Sequence, residues 1–305
     1  MKRILSILLA AALLLPAGCA PAAPAEEGEV RLSVVATTYP IYLLAREVIQ
    51  GVEGVEVERL NTGSVSCLHD YTLSVDDMKK LERADVVAVN GAGLEDFMSD
   101  ALSQSAASVI DCAQGLELLP YEGHEEHDHG AGEEEGEHYD PHIWMAPGNA
   151  ERMLQTIAEA LAVVDPSHLD PYRSNSGTAV KEIQSGIQPD GEALAALPGL
   201  LTFHDGFQYF AQAFGLELLK AIEEDEGSEA SAAEIREIVS LVEEHHIPAI
   251  FTEKNGSDAT ARAIARETGC AVDTLDMIMS GDGDGIQPYI DAMNANLGTI
   301  LEALQ

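Results

Sequence analysis

Short runs of β-branched and apolar residues, none with sustained alternation, recur between amphipathic helical stretches, and this pattern limits the fold more than any other feature. The runs are 32–36, 55–60, 85–90 and 108–111, then, after a long interval, 200–204, 217–222, 249–252 and 270–275. Strands that are apolar on both faces belong in parallel sheets covered by helices. Helix starts are marked by Ser74, which precedes Val75-Asp76-Asp77, and by Ser231, which precedes a segment with Ile235, Ile238, Val239 and Val242 on one face. The expected fold is α/β: two lobes, each with a small parallel sheet flanked by helices. Ligands of such sheets bind beyond the carboxyl ends of the strands, where the loops converge.

The interval is helical in pattern. Residues 149–163 form one helix, Asp165-Pro166 interrupts it, and 171–187 form another before Pro189 and Gly191. A long connecting helix is therefore expected between the lobes, which divides the mature chain into 30–148, a link at 149–198, and 199–305. At the start, Lys2 and Arg3 precede an apolar run at 4–15 and then Pro16-Ala17-Gly18-Cys19. This resembles a bacterial lipoprotein signal, with residues 1–19 as the signal and Cys19 as the lipidated residue, although Pro16 replaces the usual Leu. Residues 20–29 then read as a flexible tether. The protein is expected outside the cytoplasm, lipid-anchored at the bacterial cell membrane or periplasmic. Cys67, Cys112 and Cys270 remain, an odd number without a CxxC pair, which opposes a disulfide scaffold and a cysteine zinc knot and leaves room for at most one bridge.

The formal net charge of −37 opposes nucleic-acid binding and would steer cations toward the chain. Within that charge lies a distinctive stretch, 121–142, YEGHEEHDHGAGEEEGEHYDPH. It interleaves His124, His127, His129 and His138 with nine carboxylates and has no Lys or Arg. So polar a run cannot bury a core and reads as a surface loop, here one that gathers metal through imidazole.

Three further histidines stand where the strand map puts loops. His69 follows the second run, His142 closes the His-rich loop, and His204 ends the first run of the second block. Asp70, Asp140 and Asp205 lie beside them and can accept the other ring N–H, which fixes tautomer and orientation. Zinc takes four N, O or S ligands, so a fourth group is needed. Asp276, after the last strand, is the candidate; Glu253, Asp282 or a water are the alternatives, and Cys67 is a possible soft extra ligand.

These segments resemble the metal-binding solute receptors of ABC importers, the zinc and manganese cluster, over nearly the whole mature chain. The resemblance rests on His69-Asp70-Tyr71, on DPHIW after a His-rich loop, on TFHDGFQYF, on FTEKNGSDATARAIARETG, and on the segment around Asp276. It implies a metal cleft between two α/β lobes bridged by a long helix, with His69 and His142 from one lobe and His204 and Asp276 from the other. It also implies a monomeric receptor that is not an enzyme and that delivers its metal to an ABC permease. Manganese members place a carboxylate where His204 stands, so zinc is expected over manganese. Two departures are visible: Cys67-Leu68 precedes His69 where relatives have Pro, and Asp276-Met277 replaces Asp-Pro. A surface zinc buffer or adhesin built on the loop is an alternative. A secreted zinc hydrolase is another, opposed by the lack of HExxH, GxSxG or a paired general base.

Overall fold

Each of the eight strand-like runs forms a strand within one residue of its expected bounds in the computed structural model, which describes residues 30–61, 71–121, 138–223, 231–254 and 256–304. The first sheet contains β1 (Leu32–Ala36), β2 (Val55–Arg59), β3 (Val86–Val89) and β4 (Ser108–Asp111) in the order β2-β1-β3-β4. The second contains β5 (Leu200–His204), β6 (Leu218–Glu223), β7 (Ala249–Glu253) and β8 (Ala271–Leu275) in the order β6-β5-β7-β8. All pairings are parallel, so the two sheets share one topology although no repeat is visible in the sequence. Central strands β3, β5 and β7 are buried throughout, whereas edge strands β4 and β8 are largely exposed or half-buried.

Ten α-helices surround these sheets: α1 (Tyr39–Val48), α2 (Val75–Arg83), α3 (Ser99–Gln104), α4 (Pro147–Val164), α5 (Leu169–Gly186), α6 (Gly191–Ala195), α7 (Gln208–Phe214), α8 (Ala232–Glu244), α9 (Ala259–Thr268) and α10 (Gln287–Leu304) among the described residues. Helices α2 and α8 begin with reciprocal capping boxes, Ser74 with Asp77 and Ser231 with Glu234. Such pairs satisfy N–H groups that the first turn leaves open. The link is a helical pair, α4 and α5, packed on each other and on α1. Asp165-Pro166 makes the break between them, and α5, at 1.5 Å per residue, runs about 27 Å before the chain enters the second lobe.

The β8–α10 loop closes the seam between the lobes. Arg46 of α1 holds Asp284 through two hydrogen bonds of 2.8 and 2.6 Å, and Glu47 accepts the Ile286 N–H at 3.0 Å. Tyr39 Oη accepts the Gly283 N–H at 3.0 Å, and a Cβ on Gly281 would lie 2.6 Å from that same oxygen. Only glycine fits there. Farther in, Tyr289 of α10 donates to the Trp144 carbonyl at 2.8 Å, and Tyr209 accepts the Leu119 N–H at 2.9 Å.

Candidate metal centre

His142 sits on a short, heavily pinned loop. Its base is an antiparallel bridge between Pro120 and Tyr139, with the Tyr121 N–H on the His138 carbonyl (3.0 Å) and the Asp140 N–H on that of Leu119 (2.9 Å). Asn90, just past β3, donates through Nδ2 to the Pro141 carbonyl at 2.8 Å. Behind it, Glu95 accepts from Thr37 Oγ1 (2.6 Å), the Asn90 N–H (2.7 Å) and the Gly91 N–H (3.0 Å). Burial dominates those bonds and pushes the Glu95 carboxyl up to about 7. After His142 the chain turns at once into a 3-10 helix, Ile143–Met145, which is fully buried.

One carboxylate orients the ring. Asp140 Oδ1 accepts both the backbone N–H of His142 (2.8 Å) and its Nδ1–H (2.7 Å). That network assigns the proton to Nδ1 and leaves the Nε2 lone pair for a ligand. Asp140 has no exposed surface, and its Oδ2 has no hydrogen-bond partner among the described residues. A buried anion with one open oxygen favours a positive charge on the imidazole it holds, which a cation at Nε2 supplies.

His204 comes from the other sheet. As the last residue of β5 it lies at a carboxyl strand end, 4% exposed, and its Nε2 is 3.2 Å from that of His142. The rings meet at 87° with centroids 5.0 Å apart. Two nitrogens bound at 2.0–2.1 Å to a tetrahedral zinc stand about 3.3–3.4 Å apart. That 3.2 Å contact is a hydrogen bond between the two rings, and its spacing is close to that of two ligands on one ion, which zinc fits. Gly206 makes this approach possible: a Cβ there would lie 2.8 Å from His204 Cδ2 and 3.1 Å from His142 Cδ2. Asp205 is buried beside His204.

Asp276 follows β8 directly, as expected. Its backbone is gripped by Asn296, whose Oδ1 accepts the Asp276 N–H and whose Nδ2 donates to the Asp276 carbonyl, both at 2.8 Å. Its carboxylate accepts the Ile278 N–H at 2.7 Å and pairs with Lys254 at 3.0 Å. Among the described residues, no three His, Cys, Asp or Glu side chains gather as a metal-ready group. His142 and His204 are brought together, and Asp276 stays with Lys254. Glu253 is buried at the end of β7 against Gly256, and Asp282 is exposed. His69, Asp70, Cys67, His124, His127, His129 and Cys19 lie outside the described residues, and His138 stands exposed at the neck of its loop. Cys112 and Cys270 are free thiols. Asn90, Trp144, Lys254 and Met277 belong to the surroundings of the site without having been singled out, although Trp144 and Lys254 fall within the DPHIW and FTEKNG segments and Met277 marks the Asp276-Met277 departure.

Two like sheets joined through paired helices, with an imidazole from a first-lobe loop meeting one at a second-lobe strand end, define the class of two-lobe solute-binding proteins. The chain belongs to the family described as zinc-uptake complex component A, periplasmic (ZnuA), whose model matches residues 34–303. It is 28% identical over 281 residues to the zinc-binding lipoprotein AdcA of Streptococcus pneumoniae strain R6, covering 89% of this chain and 56% of the relative. It is 26% identical over 295 residues to the zinc-binding protein AdcA of Streptococcus pyogenes serotype M1, covering 90% and 56%. The chain thus spans about half the length of these curated relatives. Among solved structures, a ZnuA crystal structure superposes with TM-score 0.76 at 28% identity over 90% of this chain and 99% of that one. The laminin-binding protein Lmb of Streptococcus agalactiae, described as having adhesin and metal-transporting activity, gives 0.75 at 27% identity over 90% and 100%. No helix among the described residues is long and apolar enough to cross a membrane.

Proposed function

We propose that this chain is the extracytoplasmic receptor of an ABC zinc importer, capturing Zn(II) between its lobes and passing it to a permease. His142 and His204 are the core of the ligand set, with His69 and Asp276 as the remaining two ligands. Asp140 fixes the His142 ring, and Asp70 and Asp205 serve the other two histidines. The His-rich loop, through His124, His127, His129 and His138, collects ions for the cleft, and lipid on Cys19 holds a monomeric receptor at the membrane. The observation that carries this reading is the 3.2 Å approach of two imidazole nitrogens from opposite lobes. Zinc binding by the AdcA relatives and the family description support it.

The test is metal content after dialysis, in the wild type and in His204→Ala. One tightly held zinc that the variant loses is the expected result. Several weakly held ions, indifferent to the substitution, would move the function to the loop and make the chain a buffer. Deleting residues 122–138 should leave the tight site intact and remove only additional weak ones.

A further inference from the structure

Met277 brings a sulfur close to the histidine pair. The point where a Gly206 Cβ would sit is 2.6 Å from Met277 Sδ, 2.8 Å from His204 Cδ2 and 3.1 Å from His142 Cδ2. Each of those ring carbons is bonded to the Nε2 that faces the other ring. The thioether sulfur and the two ring carbons thus border the same space, the one that Gly206 leaves open.

Its position is fixed by the backbone. The Met277 carbonyl accepts Trp144 Nε1–H at 2.8 Å, which ties the residue to the turn that carries His142. The next residue, Ile278, has φ +63°, a conformation that a β-branched residue rarely adopts, and the Asp276 carboxylate holds its N–H at 2.7 Å. Met277 itself is 3% exposed. A side chain needed only to fill space there could be leucine, and methionine adds a soft, polarizable donor on a flexible stem.

Imidazole and thioether together form a donor set suited to soft ions. Imidazole suits copper as well as zinc, and thioether sulfur is one of the soft donors that favour Cu(I). We propose that the cleft has a second, soft-metal mode, in which Cu(I) is held by His142 Nε2, His204 Nε2 and Met277 Sδ. The proposal rests on the histidine pair being a metal site, but not on zinc as the cargo or on Asp276 as a ligand. In this mode Met277 takes the place that Asp276 and His69 fill around zinc. The chain would then bind either ion, not both, at one site.

Anaerobic competition of the full chain against a chromogenic Cu(I) chelator, with parallel Zn(II) titrations, tests this in the wild type and in Met277→Leu. The swap conserves volume, and a melting curve checks folding. Cu(I) affinity is expected to fall by on the order of tenfold or more in Met277→Leu, while zinc affinity moves less than about threefold. X-ray absorption on selenomethionine-labelled protein gives the structural readout: a Cu–Se contact in the wild type that Met277→Leu lacks, distinct from any cysteine sulfur. Equal Cu(I) affinity in the two proteins, or no Cu–Se contact, overturns the proposal. A Cu–Se contact in a protein that fails to hold zinc would leave it standing and sink the zinc reading instead. Tight zinc without the contact would do the reverse.

Discussion

The two halves of the candidate site are built differently. On the first lobe, His142 is locked from every side: Asp140 takes both its N–H groups, Asn90 holds the preceding carbonyl, and Glu95 holds Asn90. On the second lobe, Asn296 grips the Asp276 backbone, but its carboxylate is shared with a lysine whose side chain is 56% exposed. The first half needs no rearrangement to accept a metal. If Asp276 is a ligand, as proposed, the second must exchange one partner for another. That difference would suit the proposed receptor, which has to let go of its ion: a rigid half would set the place and geometry, and an exchangeable half how tightly the ion is kept.

The largest effect should follow loss of the rigid half. His142→Ala removes a proposed ligand and leaves the Asp140 carboxylate buried without its ring partner. Zinc affinity is expected to drop well beyond the roughly 10–100-fold that loss of an outer partner costs. Trp144, the only tryptophan, lies 5.3 Å from the His142 ring, centroid to centroid, so its fluorescence should report binding in the wild type and fall silent in the variant. Should Asp276→Asn cost as much as His142→Ala, the two halves would be equals and the asymmetry would be gone.

The scaffold beneath His142 can be probed by pH. Folded Glu95 keeps its proton up to about 7, and unfolded it releases it near 4.5, with burial as the main cause. Stability from this group is therefore full below about 4.5 and is lost as pH rises through 7. By linkage the whole swing is on the order of 3 kcal/mol. Metal-free protein should melt at higher temperature near pH 5 than near pH 7.5, and Glu95→Gln should flatten this part of the profile. A slope that the substitution leaves unchanged would mean that Glu95 is ionised throughout, and the support under Asn90 would have to be rethought.

Asp140→Asn tests how much of the rigidity is electrostatic. An amide can still accept from one N–H, but it no longer offers a buried negative charge to the imidazole. Zinc affinity should weaken about 10–100-fold, with the melting temperature of the metal-free protein little changed or raised, since a buried carboxylate with only one of its oxygens hydrogen-bonded is replaced by a neutral amide. Unchanged affinity would reduce Asp140 to a backbone fastener.

How much of this was legible beforehand follows from what each feature depends on. Strand positions were readable because apolar runs and turn residues are local, and the ends drifted by a residue where edge pairing decides them, as at 218–223. His142 and His204 were readable because both fall at strand ends or loop exits, where α/β sheets place ligands. The pairing of Asp276 with Lys254, the grip of Asn90 on Pro141 and the hold of Trp144 on Met277 link residues 22, 51 and 133 positions apart, and no periodicity encodes such contacts. Met277 did leave a trace, as the residue standing where the resemblance calls for Pro, yet its meaning needed Gly206 and both rings in one place. The connecting segment shows the same limit. Its break at Asp165-Pro166 is local and readable, while the folding of α4 against α5 is a tertiary fact.

The smallest effect concerns the exchangeable half. The Lys254–Asp276 pair is partly exposed, with side chains 56% and 26% accessible, and is worth about 0.2–1 kcal/mol. If zinc draws Asp276 away from the lysine, Lys254→Met removes a competitor and should raise zinc affinity about two- to fivefold, less at high salt, where the pair is already screened. Removing any positive charge also makes the chain more attractive to cations. Lys220→Met is the control, because Lys220 pairs with Glu237 on the same lobe and touches none of the site. A gain confined to Lys254→Met would identify the lysine as the group that takes Asp276 back when the ion leaves. Equal gains in both variants would assign the effect to net charge alone. If Asp276→Asn then also left affinity unchanged, the second lobe would contribute His204 without Asp276, and the exchangeable half would reduce to a single imidazole at the end of β5.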